Sequence, residues 1–378
     1  MFALRLSLVY GGIFLVIGLY TPFFPAWLDA RGLSAPEIAF VMAVPIFAKI
    51  VTSPLIAALA DRIGNRRLVM SFLAAAATLT SLIFFFVNGF IAILLVAGML
   101  AVFSNPILPL TESVAMTGAR QRGLDYGRIR LWGSLSFIGA NLIGGLVLAK
   151  YGVTAGLPLI AGAFLITFIV TLGLPAPGGK REKSAAVPGL SDSFQILSRP
   201  DIMLFLALAG IIQASHAVYY LFSTLAWSGQ GMSLLTVGAL WAVGVIAEIV
   251  LFIWSRPVLA RLGTQGLLVI AAMAAVLRWS LTSLEPSLYW LFPIQVLHGI
   301  TFGAAHLAAV NLIADKVHPD LVATAQTINF AISGIFISLT MFAAGPLYQA
   351  YGSGAYLVMS GFGMFVLLVV GWQKLRAR

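Results

Sequence analysis

The chain has 378 residues, of which 61% are hydrophobic and only 9% are charged. Soluble domains are about 45–50% apolar and about 25% charged, so a water-soluble fold is excluded and the chain is an integral membrane protein. The formal net charge of +10 does not indicate nucleic acid as a partner, because the lysines and arginines collect in short links between apolar runs. No cysteine is present, which excludes disulfides and thiolate chemistry.

Twelve apolar runs follow one another along the chain, each near the length of about 20 residues that crosses a bilayer. The first six runs lie at 6–28, 36–60, 67–88, 91–116, 127–150 and 154–174. A basic stretch rich in Pro, Gly and Ser follows at 175–200. The second six runs lie at 201–226, 233–256, 264–284, 287–314, 320–345 and 352–373. The pattern predicts an all-α membrane protein with twelve transmembrane helices, in two pseudo-symmetric six-helix halves at 1–174 and 201–378.

Basic links alternate along the chain with links that hold almost no lysine or arginine. Because cytoplasmic loops carry the excess of these residues, the alternation predicts that both termini and the linker at 175–200 are cytoplasmic. The basic positions lie at 62–67, 120–128, 180–199 and 256–261, then at 316 and 374–378.

Several predicted membrane helices contain ionisable side chains. Each charged group at a helix centre costs about 2.5–3.5 kcal/mol and usually faces a partner or a wet cavity. Helix–helix pairing is one explanation, and Glu112 and Arg130 lie close enough to the ends of their runs to snorkel to the membrane surface. A substrate cavity is the other explanation. The residues are Lys49, Glu112, Arg130, His216, Glu248, Arg278, His298 and His306.

Two membrane helices carry a polar and aromatic face. Gln213, His216 and Tyr220 share one side of the seventh helix, and Gln295, His298, Phe302 and His306 share one side of the tenth. Such a face is either helix–helix glue or the wall of a wet cavity, and histidine favours the cavity because imidazole exchanges protons near neutral pH. Enzyme and ATPase signatures are absent from the sequence, and no HxxxH or HExxH spacing predicts a metal site.

The segment "LADRIGNRR" at 59–67 resembles the signature of the major facilitator superfamily between the second and third helices. Ala57 and Asn65 depart from the usual pattern. A degenerate copy, "LARLGTQ" at 259–265, follows the eighth run and indicates an internal repeat. The resemblance implies the major facilitator fold and a cytoplasmic latch. The matching residues are Asp61, Arg62, Gly64, Arg66 and Arg67.

A more specific set of segments resembles the phenylpropionate permease family, a branch close to the lactose/oligosaccharide proton symporters. The segments are "YGRIRLWGS" (126–134), "QASHAVYYLFS" (213–223), "WAVGVIAEI" (241–249), "LRW" (277–279) and "QVLHGITFGAAH" (295–306). In lactose permease an acid late in helix 4 and an arginine early in helix 5 hold the substrate, and Glu112 and Arg130 repeat their separation of 18 residues. The predicted substrate-binding residues are Glu112, Arg130, His216, Tyr219, Tyr220, Glu248, Arg278, Gln295, His298 and Phe302.

The chain departs from lactose permease at two positions of the tenth helix. Thr301 replaces the principal proton-binding glutamate, and Gln295 replaces a lysine. If protons are carried, the resemblance makes Glu248 with His298 the first candidate site and Glu112 the second.

Together these features predict a monomeric transporter of a bacterial-type inner membrane that works by alternating access. It would take up a small aromatic monocarboxylate such as a phenylpropionate, with Arg130 as anchor and the proton gradient in place of any cofactor. Its partners would be substrate, protons and the lipid bilayer, without nucleic acid. A sugar or nucleoside symporter is the alternative. An exporter of drugs or metabolites and a non-transporting receptor also stay open.

Overall fold

The computed structural model describes residues 1–174 and 190–376, and the regular secondary structure within these ranges is helical. Of the predicted linker, residues 175–189 lie outside the described ranges. Eleven described stretches are long and apolar enough to cross a membrane. The last, Thr324–Arg376, has 53 residues and contains a 3₁₀ turn at Gly352–Gly354. At 1.5 Å per residue it would measure about 80 Å against a bilayer core of about 30 Å, so it crosses twice and completes the twelve predicted helices.

The helices of the N-terminal half match the predicted runs closely. They are α1 (Phe2–Ala30), α2 (Ala35–Ile63), α3 (Arg66–Ile83), α4 (Phe90–Ser104), α5 (Ile107–Arg122), α6 (Tyr126–Tyr151) and α7 (Gly156–Leu172). Local sequence sets several of these ends. Glu37 accepts a hydrogen bond of 2.8 Å from the Ser34 backbone N–H in a capping box that starts α2. Gly64, with φ of 72°, ends the same helix.

The helices after the linker follow the same pattern with one difference. They are α8 (Leu190–Leu197), α9 (Pro200–Ala214), α10 (Ala217–Gly229), α11 (Leu234–Ile253), α12 (Ser255–Ser283), α13 (Leu288–His298), α14 (Ala305–Lys316), α15 (Val322–Tyr351) and α16 (Ala355–Arg376). The predicted ninth run began at 264, whereas α12 begins at Ser255 and contains Gly263 with a non-helical φ of 62°. The residues between Ser255 and Gly263 are helical. Gly263 adopts the positive φ of this break because glycine has no Cβ.

Among the described residues, three of the membrane crossings are interrupted near their middle. Asn105 and Pro106 separate α4 from α5, Ser215 and His216 separate α9 from α10, and a π-helical turn at Gly299–Ala304 separates α13 from α14. Proline lacks the N–H that an uninterrupted helix requires. Interrupted helices and π turns are common at the binding sites of transporters, and each of these breaks adjoins polar residues.

The described residues form two compact units. The N-terminal unit contains residues 1–174 and 227–242, and in it α1 packs against α6 and α7. A side chain at Gly18 would lie 2.8 Å from the Ala140 Cβ, so α1 and α6 approach closely through small residues. The C-terminal unit contains residues 190–226 and 243–376, and in it α12 packs against α16 and α9 against α15.

Candidate functional site

Glu112 and Arg130 form an ion pair within the N-terminal unit. The Nε atom of Arg130 lies 3.3 Å from the Oε1 atom of Glu112, and the two side chains are 30% and 28% exposed. Glu112 lies in α5 and Arg130 in α6, both within stretches apolar enough to span the membrane. The structure therefore brings together the pair that the spacing predicted, and both residues lie inside helices that extend further than the apolar runs.

Two tyrosine hydroxyls also donate to the Glu112 carboxylate. Tyr10 of α1 donates to Oε2 at 2.7 Å, and Tyr126 of α6 donates to the same oxygen. Oε1 faces the guanidinium while Oε2 receives both hydroxyls. Because a partly buried charge is stabilised when its atoms find hydrogen-bond partners, these donors hold the carboxylate in one orientation.

The Arg130 guanidinium is held on its other side by an aromatic ring. Its central carbon lies 4.0 Å from the ring centroid of Phe14, a cation–π contact. A side chain at Gly133 would come within 2.8 Å of both the Nη1 atom and the Phe14 ring, so glycine makes room for this arrangement. Within residues 1–174 and 190–376, neither Nη group donates a hydrogen bond to the protein.

In the C-terminal unit, Arg278 of α12 organises the second cluster and is fully buried. Its Nη1 donates to His298 Nδ1 at 3.1 Å and to Thr301 Oγ1 at 3.0 Å, and its Nη2 donates to Gln295 Oε1 at 3.0 Å. The rings of Tyr219 and Trp279 lie 4.8 Å and 4.4 Å from the guanidinium carbon. Among the described residues, no carboxylate lies within 4.0 Å of this buried cation.

The hydrogen bond from Arg278 determines the proton position on His298. Because a guanidinium only donates, His298 Nδ1 must accept, so the neutral ring carries its hydrogen on Nε2. That Nε2 atom lies 4.0 Å from Glu248 Oε2. The Glu248 side chain is 22% exposed while that of His298 is 9% exposed, so the carboxylate is the more accessible member of the pair.

Thr301 connects Arg278 to His216 through its hydroxyl. The carbonyls of Ile212 and Gln213 lie 3.2 Å and 3.1 Å from His216 Nδ1, so Nδ1 carries the hydrogen and Nε2 accepts from Thr301 Oγ1 at 3.0 Å. The π-helical turn carries Thr301 to this position. A neutral hydroxyl thus lies between the buried guanidinium and the His216 ring.

The remaining predicted residues of this cluster supply aromatic walls. The ring of Tyr220 stacks on His216 at 5.7 Å between centroids, and that of Phe302 stacks on His298 at 5.4 Å. His306 stacks on Phe302 at 6.4 Å. Within the described ranges, no group of three or more His, Asp or Glu side chains is placed to hold a metal ion.

The predicted latch residues gather at the turn between α2 and α3. Arg66 Nη2 lies 2.8 Å from Asp61 Oδ1, and Arg66 Nη1 donates to Ser113 Oγ at 2.7 Å. Arg67 donates to the carbonyl of Leu172 at 2.7 Å. Gly64 supplies the left-handed turn, while Arg62 is exposed. The contact with Ser113 joins this turn to the helix that carries Glu112.

Sequence reasoning did not assign four residues that contact the predicted site. Tyr10 and Phe14 are spaced i, i+4 on one face of the first helix, but the Tyr10 contact with Glu112 joins residues 102 positions apart. Trp279 follows Arg278 directly, and its Nε1 donates to Ser215 Oγ at 2.9 Å. Tyr126 is the first residue of the "YGRIRLWGS" segment, so its place in that segment was the sequence feature that could have indicated its role.

Comparisons with known proteins agree with this fold. A family model described as the MFS_1 like family matches residues 3–357. The probable 3-phenylpropionic acid transporter of Escherichia coli K12 is 33% identical over 360 residues, covering 94% of this chain and 93% of that protein. Maltose permease of Geobacillus stearothermophilus is 26% identical, covering 97% and 94%. The crystal structure of the nucleoside transporter NupG (D323A mutant) superposes with a TM-score of 0.87 at 18% identity, covering 98% of each chain. The chain belongs to the MFS_1 like family, and it is a multi-pass membrane transporter of the major facilitator superfamily.

Proposed function

We propose that this transporter takes up a small aromatic monocarboxylate together with a proton by alternating access. One relative is named as a probable 3-phenylpropionic acid transporter, and that substrate combines an aromatic ring with one carboxylate. The proton gradient would supply the driving force, so the proposal includes no cofactor. The substrate would cross the membrane without chemical change.

The observation that carries the proposal is the free edge of the Arg130 guanidinium. The ion pair with Glu112 uses Nε, and Phe14 covers one face of the group. Both Nη groups are left without a protein acceptor within the described ranges. Two parallel N–H groups on one planar fork match the two oxygens of a carboxylate, so Arg130 is the substrate anchor.

The proton would travel on Glu248, with His298 as its neutral neighbour. The bond from Arg278 keeps His298 Nδ1 in the accepting state, so a second proton on this ring would face the guanidinium. Glu248 lies 4.0 Å from the opposite nitrogen and is partly exposed. Glu112 is the second candidate, although its oxygens already receive Arg130 and two tyrosines.

The proposal includes the position of the chain in the cell. The alternation of basic links supports a bacterial inner membrane location with both termini in the cytoplasm. The transporter would act as a monomer, with the lipid bilayer, protons and the substrate as its partners.

Uptake by reconstituted vesicles tests the anchor. Labelled 3-phenylpropionate should accumulate when an inward proton gradient is imposed, and Arg130→Lys should lower uptake at least about tenfold because it loses one of two charged hydrogen bonds. Arg128→Lys is the matched control, since Arg128 pairs with Asp125 at the surface with 88% of its side chain exposed. Full-rate uptake by Arg130→Lys would contradict the anchor.

A sugar substrate is the second candidate, and the geometry of Glu112 favours it. A carboxylate beside a guanidinium and aromatic rings also suits the hydroxyl groups of a polyol, and one relative is named maltose permease. Uptake of labelled maltose and of labelled 3-phenylpropionate, measured in parallel in the same vesicles, separates the two. Proton-driven uptake of maltose, with no uptake of the acid, would replace the proposed substrate.

A further inference from the structure

The N-terminal unit contains a cavity of about 160 Å³ that none of the assigned site residues lines. Its wall is mostly aliphatic and aromatic, with side chains such as Ile13, Ile17, Leu108 and Phe164. An apolar cavity of about 150 Å³ binds benzene, so one aromatic ring fits this space.

The cavity lies next to the Glu112–Arg130 pair along shared helix faces. Leu108 precedes Glu112 by four residues in α5, and Ile17 follows Phe14 by three in α1. Residues three or four apart share a helix face and are separated by about one turn, or about 5.4 Å. The cavity and the anchor therefore lie about one helical turn apart within the unit, and the cavity is nearer to the N-terminal end of α5.

Lys49 of α2 is the one cation that lines this cavity within the described ranges, and the cavity lining there contains no carboxylate. Its ammonium group has three donors and no acceptor, and among the described residues no carboxylate lies within 4.0 Å of it. The nearby amide of Asn105 is already committed, because its Nδ2 donates to the Pro45 carbonyl at 2.9 Å. The cavity thus combines an apolar wall with a cation that lacks an anion.

The geometry points to a ring-binding subsite in this cavity, with Lys49 as the residue that selects oxygen substituents on the ring. The carboxylate of the carried acid would lie on Arg130, and the ring would enter the cavity. A ring hydroxyl or a second carboxylate would then accept from the Lys49 ammonium. This inference rests on the proposed function, since it takes the carried molecule to be an aromatic acid.

Binding of three acids to the purified full chain, measured by calorimetry in detergent, tests the subsite. The acids are 3-phenylpropionate, a ring-hydroxylated analogue and a ring-carboxylated analogue. The unchanged protein should bind an oxygenated acid about ten- to a hundredfold more tightly than the unsubstituted one, the range expected for one hydrogen bond to a charged group. Lys49→Met should abolish this preference while keeping affinity for the unsubstituted acid, and Lys49→Arg should retain it.

Lys150→Met is the matched control, because Lys150 also lies in a membrane helix but its ammonium rests 5.1 Å from the Tyr151 ring centroid, outside the cavity. It should leave the preference unchanged. A preference that survives in Lys49→Met, or an equal loss of affinity for all three acids, would overturn the subsite. Lys49→Gln serves as a second neutral variant if the methionine variant does not fold.

Transport measured beside binding separates this inference from the proposed function. Binding that depends on Lys49 without proton-driven uptake would contradict the proposed function and support the subsite. Proton-driven uptake of the unsubstituted acid, without a Lys49-dependent preference for the oxygenated acids, would support the proposed function and contradict the subsite. Failure of all three acids to bind the unchanged protein would contradict both.

Discussion

Arg278→Lys should destabilise the transporter although it preserves the positive charge. The guanidinium makes three hydrogen bonds through two nitrogens, to His298, Thr301 and Gln295, all between 3.0 and 3.1 Å. A lysine has one nitrogen on a flexible stem and lacks the planar fork that spans these acceptors. We expect it to keep one of the three bonds.

The size of the effect follows from the bonds that are lost. Each hydrogen bond to a charged group contributes about 1.5–3 kcal/mol, so two lost bonds correspond to about 3–6 kcal/mol. Breaking a buried charged network typically costs about 3–5 kcal/mol. We therefore expect the free energy of unfolding to fall by about 3–5 kcal/mol.

Unfolding in mixed micelles, followed by tryptophan fluorescence, measures this change. Trp279 reports directly because its ring lies 4.4 Å from the Arg278 guanidinium. A second readout is the pH profile of uptake, which should change because a flexible ammonium replaces the fixed guanidinium donor to His298 Nδ1. Arg128→Lys should alter neither quantity. A loss of stability below about 1 kcal/mol, with an unchanged pH profile, would refute the interpretation of Arg278 as the organiser of this cluster.

Three further predictions test other parts of the structure. Glu248→Gln should abolish accumulation driven by a pH gradient, which reaches about tenfold per pH unit for one coupled proton, while substrate exchange continues; retained accumulation would exclude Glu248 as the carrier. Gly363→Ala should destabilise the C-terminal unit in thermal unfolding, because its Cβ would lie 2.7 Å from the Ala272 carbonyl oxygen, whereas Gly361→Ala meets nothing within 4 Å and should be neutral. Tyr126→Phe removes one of the two hydroxyl donors to the site carboxylate and should weaken substrate binding in calorimetry by about three- to tenfold; unchanged affinity would show that this hydroxyl does not position the pair.

The fold was predictable because a bilayer imposes strong rules on sequence. Run length, low charge and alternating basic links predicted twelve helices, and most helix ends fall within a few residues of the apolar runs. The interruptions within the membrane-crossing helices were harder to predict from the sequence. Asn105–Pro106 carries a recognisable break signal, but Ser215–His216 contains neither glycine nor proline. At that break the His216 ring donates to the carbonyls of Ile212 and Gln213, a contact that no local sequence pattern predicts.

The candidate site was predictable only where residues lie close in sequence or match a related family. The separation of Glu112 and Arg130 predicted their pairing, and the structure forms it. The contribution of Tyr10 could not be derived in the same way, because no local pattern links α1 to α5 across 102 residues. The sequence identified Lys49 as a charged residue within a membrane helix. It could not predict the cavity that Lys49 lines, because residues of five different helices form its wall.

The hydroxyl of Thr301 determines which side chains of the C-terminal cluster are able to accept a proton. An acid at this position would pair with Arg278, whereas the hydroxyl accepts a hydrogen bond from the guanidinium and donates one to His216 Nε2. Both histidines then have one ring nitrogen committed as an acceptor, so neither ring takes a further proton without breaking a bond. Glu248 is the one carboxylate that the described structure places beside this network. We therefore propose Glu248, rather than either histidine, as the proton carrier of this cluster.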